Sequence, residues 1–283
     1  MKIITLNTHS IIEPDYERKL SEFANMIKIE KPDVFALQEV NQSVAKPEFN
    51  IFVENGYVPC NELCPVIRVD NHALRLDRLL RSQGVEYYWT WIPLKIGYDI
   101  YEEGLAVFSR TPIMEIRQFY ISKSRTMSNW KTRKVLGIKT NGIWFYNVHM
   151  GWWDDAEEPF EEQWNAVNRE LTMSDKIDEI HFMIGDFNAP SEIRGEAYDY
   201  VKESGWFDTF ELAEKKDSGI TVGKVIDGWR DRINDVDAAK GVRLDYIWTN
   251  KAIRIKSTKV IHNGENYPIV SDHFGVVIEV EAE

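Results

Sequence analysis

Six largely apolar runs in this chain each end on a group that can bind a cation or move a proton. Ile3–Leu6 ends on Asn7, Val34–Leu37 leads to Glu39, and Trp144–Val148 delivers His149. Phe182–Ile184, inside the stretch FMIGDFNAP, delivers Asp186 and Asn188; Leu244 precedes Asp245, and Val270-Ser271 precedes Asp272 and His273. Glu39, Asp186, Asp272, Asn7 and Asn188 offer hard oxygen donors and no cysteine stands among them, which suits Mg²⁺ or Mn²⁺ rather than structural zinc. Mg²⁺ takes one or two protein carboxylates and leaves its other positions to water and substrate phosphate. Two histidines beside such an ion can hydrogen-bond a phosphoryl oxygen or orient a water. Asp245 can hold one of them in a single tautomer. The chemistry implied is metal-assisted hydrolysis of a phosphate ester.

Each residue alone has a structural use. Asn7 suits a turn, Glu39 a surface acid, His149 a core histidine, Asp186–Asn188 an Asx-turn, Asp245 an ion pair with Arg243, and Asp272-His273 a cap. Their shared position at strand ends is what points to a site, because rigid elements aim such groups at one rim.

The elements that must carry them alternate. Residues 14–30 place Tyr16, Leu20, Phe23, Ala24 and Ile27 at helical spacing, with Pro32 as a stop. Residues 41–68 lack periodicity and read as a long excursion. Asp70 is expected to cap a helix over 71–83 that ends near Gly84. Strands are expected at 87–92, 105–109, 113–121, 135–139 and 143–149, then a helix over 159–174. A helix over 190–203, a polar loop over 213–241 and strands at 244–249, 253–260 and 274–280 complete the pattern. Many adjacent strands with interspersed helices predict a layered α/β domain with mixed or antiparallel sheets. No linker or repeat divides residues 1–283, so one catalytic domain is expected.

Composition narrows the partners. Of 283 residues, 43% are hydrophobic, 28% charged and 12% aromatic, which is globular material rich in rings. With 34 Lys and Arg against 46 Asp and Glu, the net charge is −12. That argues against gripping nucleic acid by charge alone, although a bound divalent ion can supply a local positive field to a nuclease. No run reaches the roughly 18 apolar residues of a membrane span. The first apolar stretch is cut by Asn7, Thr8 and His9, too early for a signal peptide, so a cytoplasmic location is expected. Cys60 and Cys64 read as reduced thiols.

TLNTH around Asn7, ALQEV around Glu39, EGLAVFSR at 103–110, YNVHMG around His149, IGDFNAP, RLDYIW around Asp245 and SDHFGV around Asp272 and His273 stand in the order seen in the endonuclease/exonuclease/phosphatase superfamily, which the chain resembles. The resemblance implies a four-layer α/β/β/α sandwich of the deoxyribonuclease I type, with the active site at one rim. It implies roles as well: Glu39 as main metal carboxylate, with Asn7 and Asp272 close to the ion or its water. Asp186 would orient or deprotonate the attacking water, Asn188 would contact the phosphoryl group, and His273 paired with Asp245 would polarise the phosphate. His149 matches a phosphate-contacting histidine, Glu103 would support it, and Arg133 would touch phosphate.

Two departures bear on the substrate. Deoxyribonuclease I-like nucleases carry an arginine two residues after the metal glutamate, where this chain has Asn41. Past His149 lies GWWDDAEEPFEEQW, whose acids either repel a polyphosphate chain or merely favour a helix start. Trp152 and Trp153 offer a sugar platform, a lid or ordinary packing. HMGWW with PF and QW beyond it, DNHA, YYWTW, IGYD and EGLAVFSR resemble the bacterial maltose 6'-phosphate phosphatase subgroup, which implies a phosphorylated sugar as substrate; neither a membrane nor an obligate protein partner is expected. Tyr98, Asp99, Trp229 and Arg243 are further substrate-side candidates. A nuclease or other phosphodiesterase, and a non-catalytic binding module, are the alternatives.

Overall fold

The structure, a computed structural model, describes residues 1–60, 64–172, 179–223 and 240–281. Trp229 lies outside the described residues, as does most of the polar loop expected over 213–241. The strands are β1 Lys2–Asn7, β2 Val34–Gln38, β3 Gln42–Ser43, β4 Tyr88–Gly97, β5 Tyr101–Ser109, β6 Glu115–Tyr120 and β7 Lys134–Thr140. They continue as β8 Ile143–His149, β9 His181–Asp186, β10 Phe207–Asp208, β11 Ala213–Lys216, β12 Asp245–Thr249, β13 Ile255–Ile261 and β14 Gly275–Val280. The helices are α1 Tyr16–Glu30, α2 His72–Ser82, α3 Phe160–Thr172, α4 Ala197–Glu203 and the short α5 Thr209–Leu212.

One sheet has eight strands, ordered β11-β13-β14-β1-β2-β5-β3 with β4 also on β5; the other has six, ordered β10-β12-β9-β8-β7-β6. Both are mixed: β1 runs parallel to β2, and β8 parallel to β9, among antiparallel neighbours. Strand alternation builds the layers. Ile3, Val34, Ala36, Leu105 and Val107 meet Leu136, Phe145, Phe182, Ile184 and Ile247 between the sheets. The opposite set, Ile4, Leu6, Phe35, Leu37 and Phe108, packs under α1 and α2. Trp144, Tyr146, Met183 and Trp248 pack under α3 and α4. The result is the expected four-layer α/β/β/α sandwich.

A buried polar tie crosses the apolar interlayer. Gln38 Nε2 donates to Asn147 Oδ1 at 2.6 Å, and Asn147 Nδ2 donates to the carbonyls of Leu37 and Ala106 at 2.8 and 2.9 Å. Gln38 precedes Glu39 and Asn147 lies just before His149, so the tie fixes the two sheets against each other at the rim that carries these groups.

Several local expectations are corrected. Asp70 does not cap α2: Asn71 does, its Oδ1 accepting from Leu74 N at 3.1 Å, while the Asp70 carboxylate accepts from Ser43 N. The helix expected over 190–203 begins only at Ala197, because Gly195 takes a left-handed turn (φ 77°) and Arg194 folds back onto Asp199. The strand expected at 87–92 runs on to Gly97, absorbing Pro93 at a register shift between Pro93 and Lys95. The excursion over 41–68 contributes an edge strand, β3, and a 3₁₀ turn at Ile51–Val53.

Candidate active site

Strand register brings the polar ends to one level. Asn7 pairs with Gln38, His149 with Asp186, and Asp186 with Asp245. Gly185 permits this crowding: a Cβ there would sit 2.0 Å from the carbonyl oxygen of Val148. Beyond the strand ends, Glu39 and Asn188 both adopt left-handed backbone (φ 51° and 48°). Such conformations cost energy in residues other than glycine and concentrate at functional sites.

Asn7 is fully buried and its Nδ2 donates to Glu39 Oε1 at 2.9 Å and to Asp186 Oδ2 at 3.1 Å. One amide thus holds two carboxylates from different sheets. Asp186 Oδ1 accepts from Asn188 N at 2.8 Å, an Asx-turn, and Asn188 Nδ2 donates to Met150 O at 3.0 Å. The expected Asx-turn and the site are therefore the same feature. Two imidazoles face Asp186 Oδ2, His149 Nε2 at 3.6 Å and His273 Nε2 at 3.9 Å.

Each imidazole is backed by an acid. His273 Nδ1 lies 2.9 Å from Asp245 Oδ2. Although burial opposes the charge, Asp245 and Asp186 raise the His273 pKa well above its ordinary value, which favours the imidazolium. His149 Nδ1 lies 3.4 Å from Glu103 Oε1. Against the cost of burial, Lys95 and His149 hold the Glu103 carboxyl well below the usual range. Ser271 Oγ lies 2.8 Å from the Asn7 carbonyl and 3.2 Å from Asp272 Oδ1, tying the SDH segment to β1.

Glu39, Glu103, His149, Asp186, Asn188, Asp272 and His273 line an open cleft of about 320 Å³, with Asn7, Asp245 and Ser271 behind its surface. Sequence reasoning missed three of its charged or aromatic residues. His9, two positions after Asn7, bonds Glu13 Oε1 through Nδ1 at 2.7 Å. Burial works against its charge, but Glu13, Glu39 and Asp272 push its pKa up to about 9. Lys95, opposite Glu103 in the β4–β5 register, has Nζ 3.2 Å from Glu103 Oε1. Trp130 lies against Trp152 with ring centroids 5.2 Å apart and stays 46% exposed. The TLNTH stretch carried a signal for His9; nothing local marked Lys95 or Trp130.

Arg133 and Tyr98 also line the cleft, as does Trp152. Trp153 does not: it packs against the α3 layer and borders a separate depression between α3 and α4. Asp99 is absent from the cleft lining. Arg243 is buried beneath Phe210, Tyr198 and Tyr246, with Nη1 2.7 Å from Asp208 Oδ2 rather than paired with Asp245. Asn41 is buried as well, its carbonyl accepting from His72 N. Two acids of the 151–164 segment are engaged locally: Asp155 accepts from Glu157 N and Glu158 N, and Glu158 accepts from Lys123 N and Ser124 N.

The donor set fits a cation. Burial and the charges of Glu103 and Asp272 push the Glu39 carboxyl up, the mark of negative charge gathered without enough compensation. His9, Glu13 and Asp272, and separately Asp186, Asp245 and His273, bring ligand atoms within 4.8 Å of one another. Carboxylates predominate, as a hard divalent ion requires.

A sandwich whose rim gathers carboxylates and two acid-backed imidazoles defines a phosphoester hydrolase. The pattern of the Endonuclease/Exonuclease/phosphatase family matches residues 4–273, and the chain belongs to that metal-dependent family. A family protein from Leptotrichia buccalis C-1013-b is 33% identical, with TM-score 0.83 and 100% of each chain covered. The mannosyl-6-phosphatase Bt3783 of Bacteroides thetaiotaomicron VPI-5482 is 16% identical, with TM-score 0.65 over 100% of both chains. A 3' phosphatase from Neisseria, bound to a product DNA hairpin, is 18% identical, with TM-score 0.62 over 100% of both chains. No curated protein matches. Among the described residues no helix is long and apolar enough to cross a membrane.

Proposed function

We propose that this chain, as one catalytic domain, is a Mg²⁺-dependent phosphomonoesterase of the cytoplasm acting on a phosphorylated sugar of the maltose 6'-phosphate type. The observation that carries the reading is the aromatic wall, Trp130, Trp152 and Tyr98, that borders the same cleft as Asp186, His149 and His273. Flat aromatic faces at the mouth of a polar site suit a small organic alcohol with exposed C–H groups. The burial of Asn41, where nucleases present an arginine, and the −12 net charge weigh against a nucleic-acid backbone.

Asp186 is the group that orients and deprotonates the attacking water. Asn7 keeps one of its oxygens, Oδ2, aimed, and the Asn188 backbone N–H holds the other. His273, charged and paired with Asp245, donates to a phosphoryl oxygen, and His149, backed by Glu103, contacts another. Asn188 steadies the same group. Glu39, with Asp272 beside Asn7, would hold Mg²⁺, which would supply Lewis-acid polarisation of the ester. Arg133 contacts phosphate, and Trp152 carries the sugar, with Trp153 buttressing the loop.

Phosphate release from maltose 6'-phosphate, mannose 6-phosphate and glucose 6-phosphate, with Mg²⁺ or with chelator, tests the reading beside cleavage of plasmid and abasic DNA. Mg²⁺-dependent release from a sugar phosphate, with DNA intact, is the expected result. Efficient DNA cleavage without phosphate release overturns it.

A further inference from the structure

The cleft holds two buried cations, Lys95, which has no part in the hydrolytic set above, and Arg133, which has only a phosphate contact there. Lys95 is 8% exposed and Arg133 4% exposed, and both line the cleft. Arg133 Nη1 donates to the carbonyls of Trp130 and Thr132 at 2.9 and 3.2 Å, while its buried Nε donates to nothing. Among the described residues Arg133 forms no ion pair, so its charge lacks a carboxylate in contact. Among the described residues Lys95 has one carboxylate in contact, Glu103, which it shares with His149. Burial, then the Arg133 charge, lowers the Lys95 pKa, so these cations repel one another. Two buried cations thus have between them one carboxylate in direct contact, with Glu39 and Asp186 acting on Arg133 only from further off, and both face the cleft where a phosphate would meet them.

We propose that Lys95 and Arg133 together form a recognition site for a terminal, dianionic phosphate and select phosphomonoesters over phosphodiesters. The inference rests on the phosphomonoesterase reading above. A monoester near neutral pH carries close to two negative charges on three terminal oxygens. A diester carries one charge on two, and places a second alkyl group where the third oxygen would meet a cation. The Arg133 fork can engage two oxygens and the Lys95 ammonium a third. Arg133 is braced by the carbonyl of Trp130, so the phosphate fork and the aromatic wall belong to one rigid turn.

The test compares kcat/KM for p-nitrophenyl phosphate and bis(p-nitrophenyl) phosphate in wild type, Lys95→Gln, Arg133→Gln and Lys95→Arg, each checked for native circular dichroism and melting. The glutamine variants are expected to lose about tenfold to a hundredfold on the monoester, the weight of one or more charge-assisted bonds, and less than about threefold on the diester. Lys95→Arg should recover much of the monoester rate. Equal losses on both esters in folded variants, or no loss on either, overturn the dianion site while leaving a phosphomonoesterase in place. A wild type that prefers the diester overturns the phosphomonoesterase reading itself. If the glutamine variants do not fold, the Lys95→Arg monoester-to-diester ratio decides: retention supports the site, and parallel loss overturns it.

Discussion

Asn147→Leu is a sharp probe of how the two sheets are held. The substitution keeps side-chain volume but removes a donor shared by the Leu37 and Ala106 carbonyls and the acceptor of Gln38 Nε2. Gln38 Nε2 retains Thr5 Oγ1 at 3.1 Å, so two carbonyls bear most of the loss. A buried group left unpaired costs about 1–3 kcal/mol, partly offset by the more favourable burial of leucine, for a net cost of about 2–4 kcal/mol. Against a typical total of about 5–15 kcal/mol, and at about 2–4 °C per kcal/mol, the melting temperature should fall by roughly 4–16 °C. Because the tie sits beside Glu39 and His149, kcat should also drop by about tenfold or more. Asn147→Asp should be worse, since it points a carboxylate at two carbonyl oxygens. Differential scanning calorimetry with parallel activity measurement reads both effects. A melting temperature within about 1 °C of wild type, or Asp tolerated better than Leu, refutes the reasoning.

Gly185→Ala should fail to fold or lose more than about 3 kcal/mol, since its Cβ would lie 2.0 Å from backbone oxygen at a φ of 140°; a wild-type urea midpoint would contradict this. Burial pushes the His262 pKa down to about 4 from 6.5, its Nδ1 donating to Pro268 O. Its neutral form therefore contributes stability that is intact above the unfolded value of 6.5 and lost as pH falls toward 4, up to roughly 3 kcal/mol. His262→Gln should flatten the fall in melting temperature over that window, and an unchanged slope counts against it. Mg²⁺ should raise the melting temperature of wild type by stabilising the native state, and Glu39→Gln should abolish most of that rise. An equal rise in both proteins would remove Glu39 from the metal site.

The sheets were legible because their apolar runs are long and end abruptly on polar residues, as at Ile184-Gly185-Asp186. The nearly continuous apolar character of Ile3–Leu6 and Val34–Leu37 is what two buried faces require, and both faces are packed. Less legible were features set by pairing. Lys95 enters the cleft because β4 slips by a residue at Pro93 opposite β5, a shift no local pattern announces. Trp130 reaches Trp152 across a turn between β6 and β7. Asp70 and Asn71 are both good caps, and only tertiary demand from Ser43 decided between them. Trp152 and Trp153 are chemically alike in sequence, yet consecutive side chains diverge, one to the cleft and one to the α3 layer.

The central claim is that Asp186 drives water against the phosphorus of a sugar monoester. Its most direct test is kcat/KM for phosphate release from maltose 6'-phosphate with Mg²⁺, in wild type and Asp186→Asn, against single-turnover cleavage of abasic DNA by the same preparations. The account predicts sugar-phosphate turnover by wild type, a loss of at least about a hundredfold in Asp186→Asn, and no comparable DNA cleavage. Abasic DNA cut faster than the sugar phosphate is hydrolysed, or an Asp186→Asn variant as active as wild type, would contradict it.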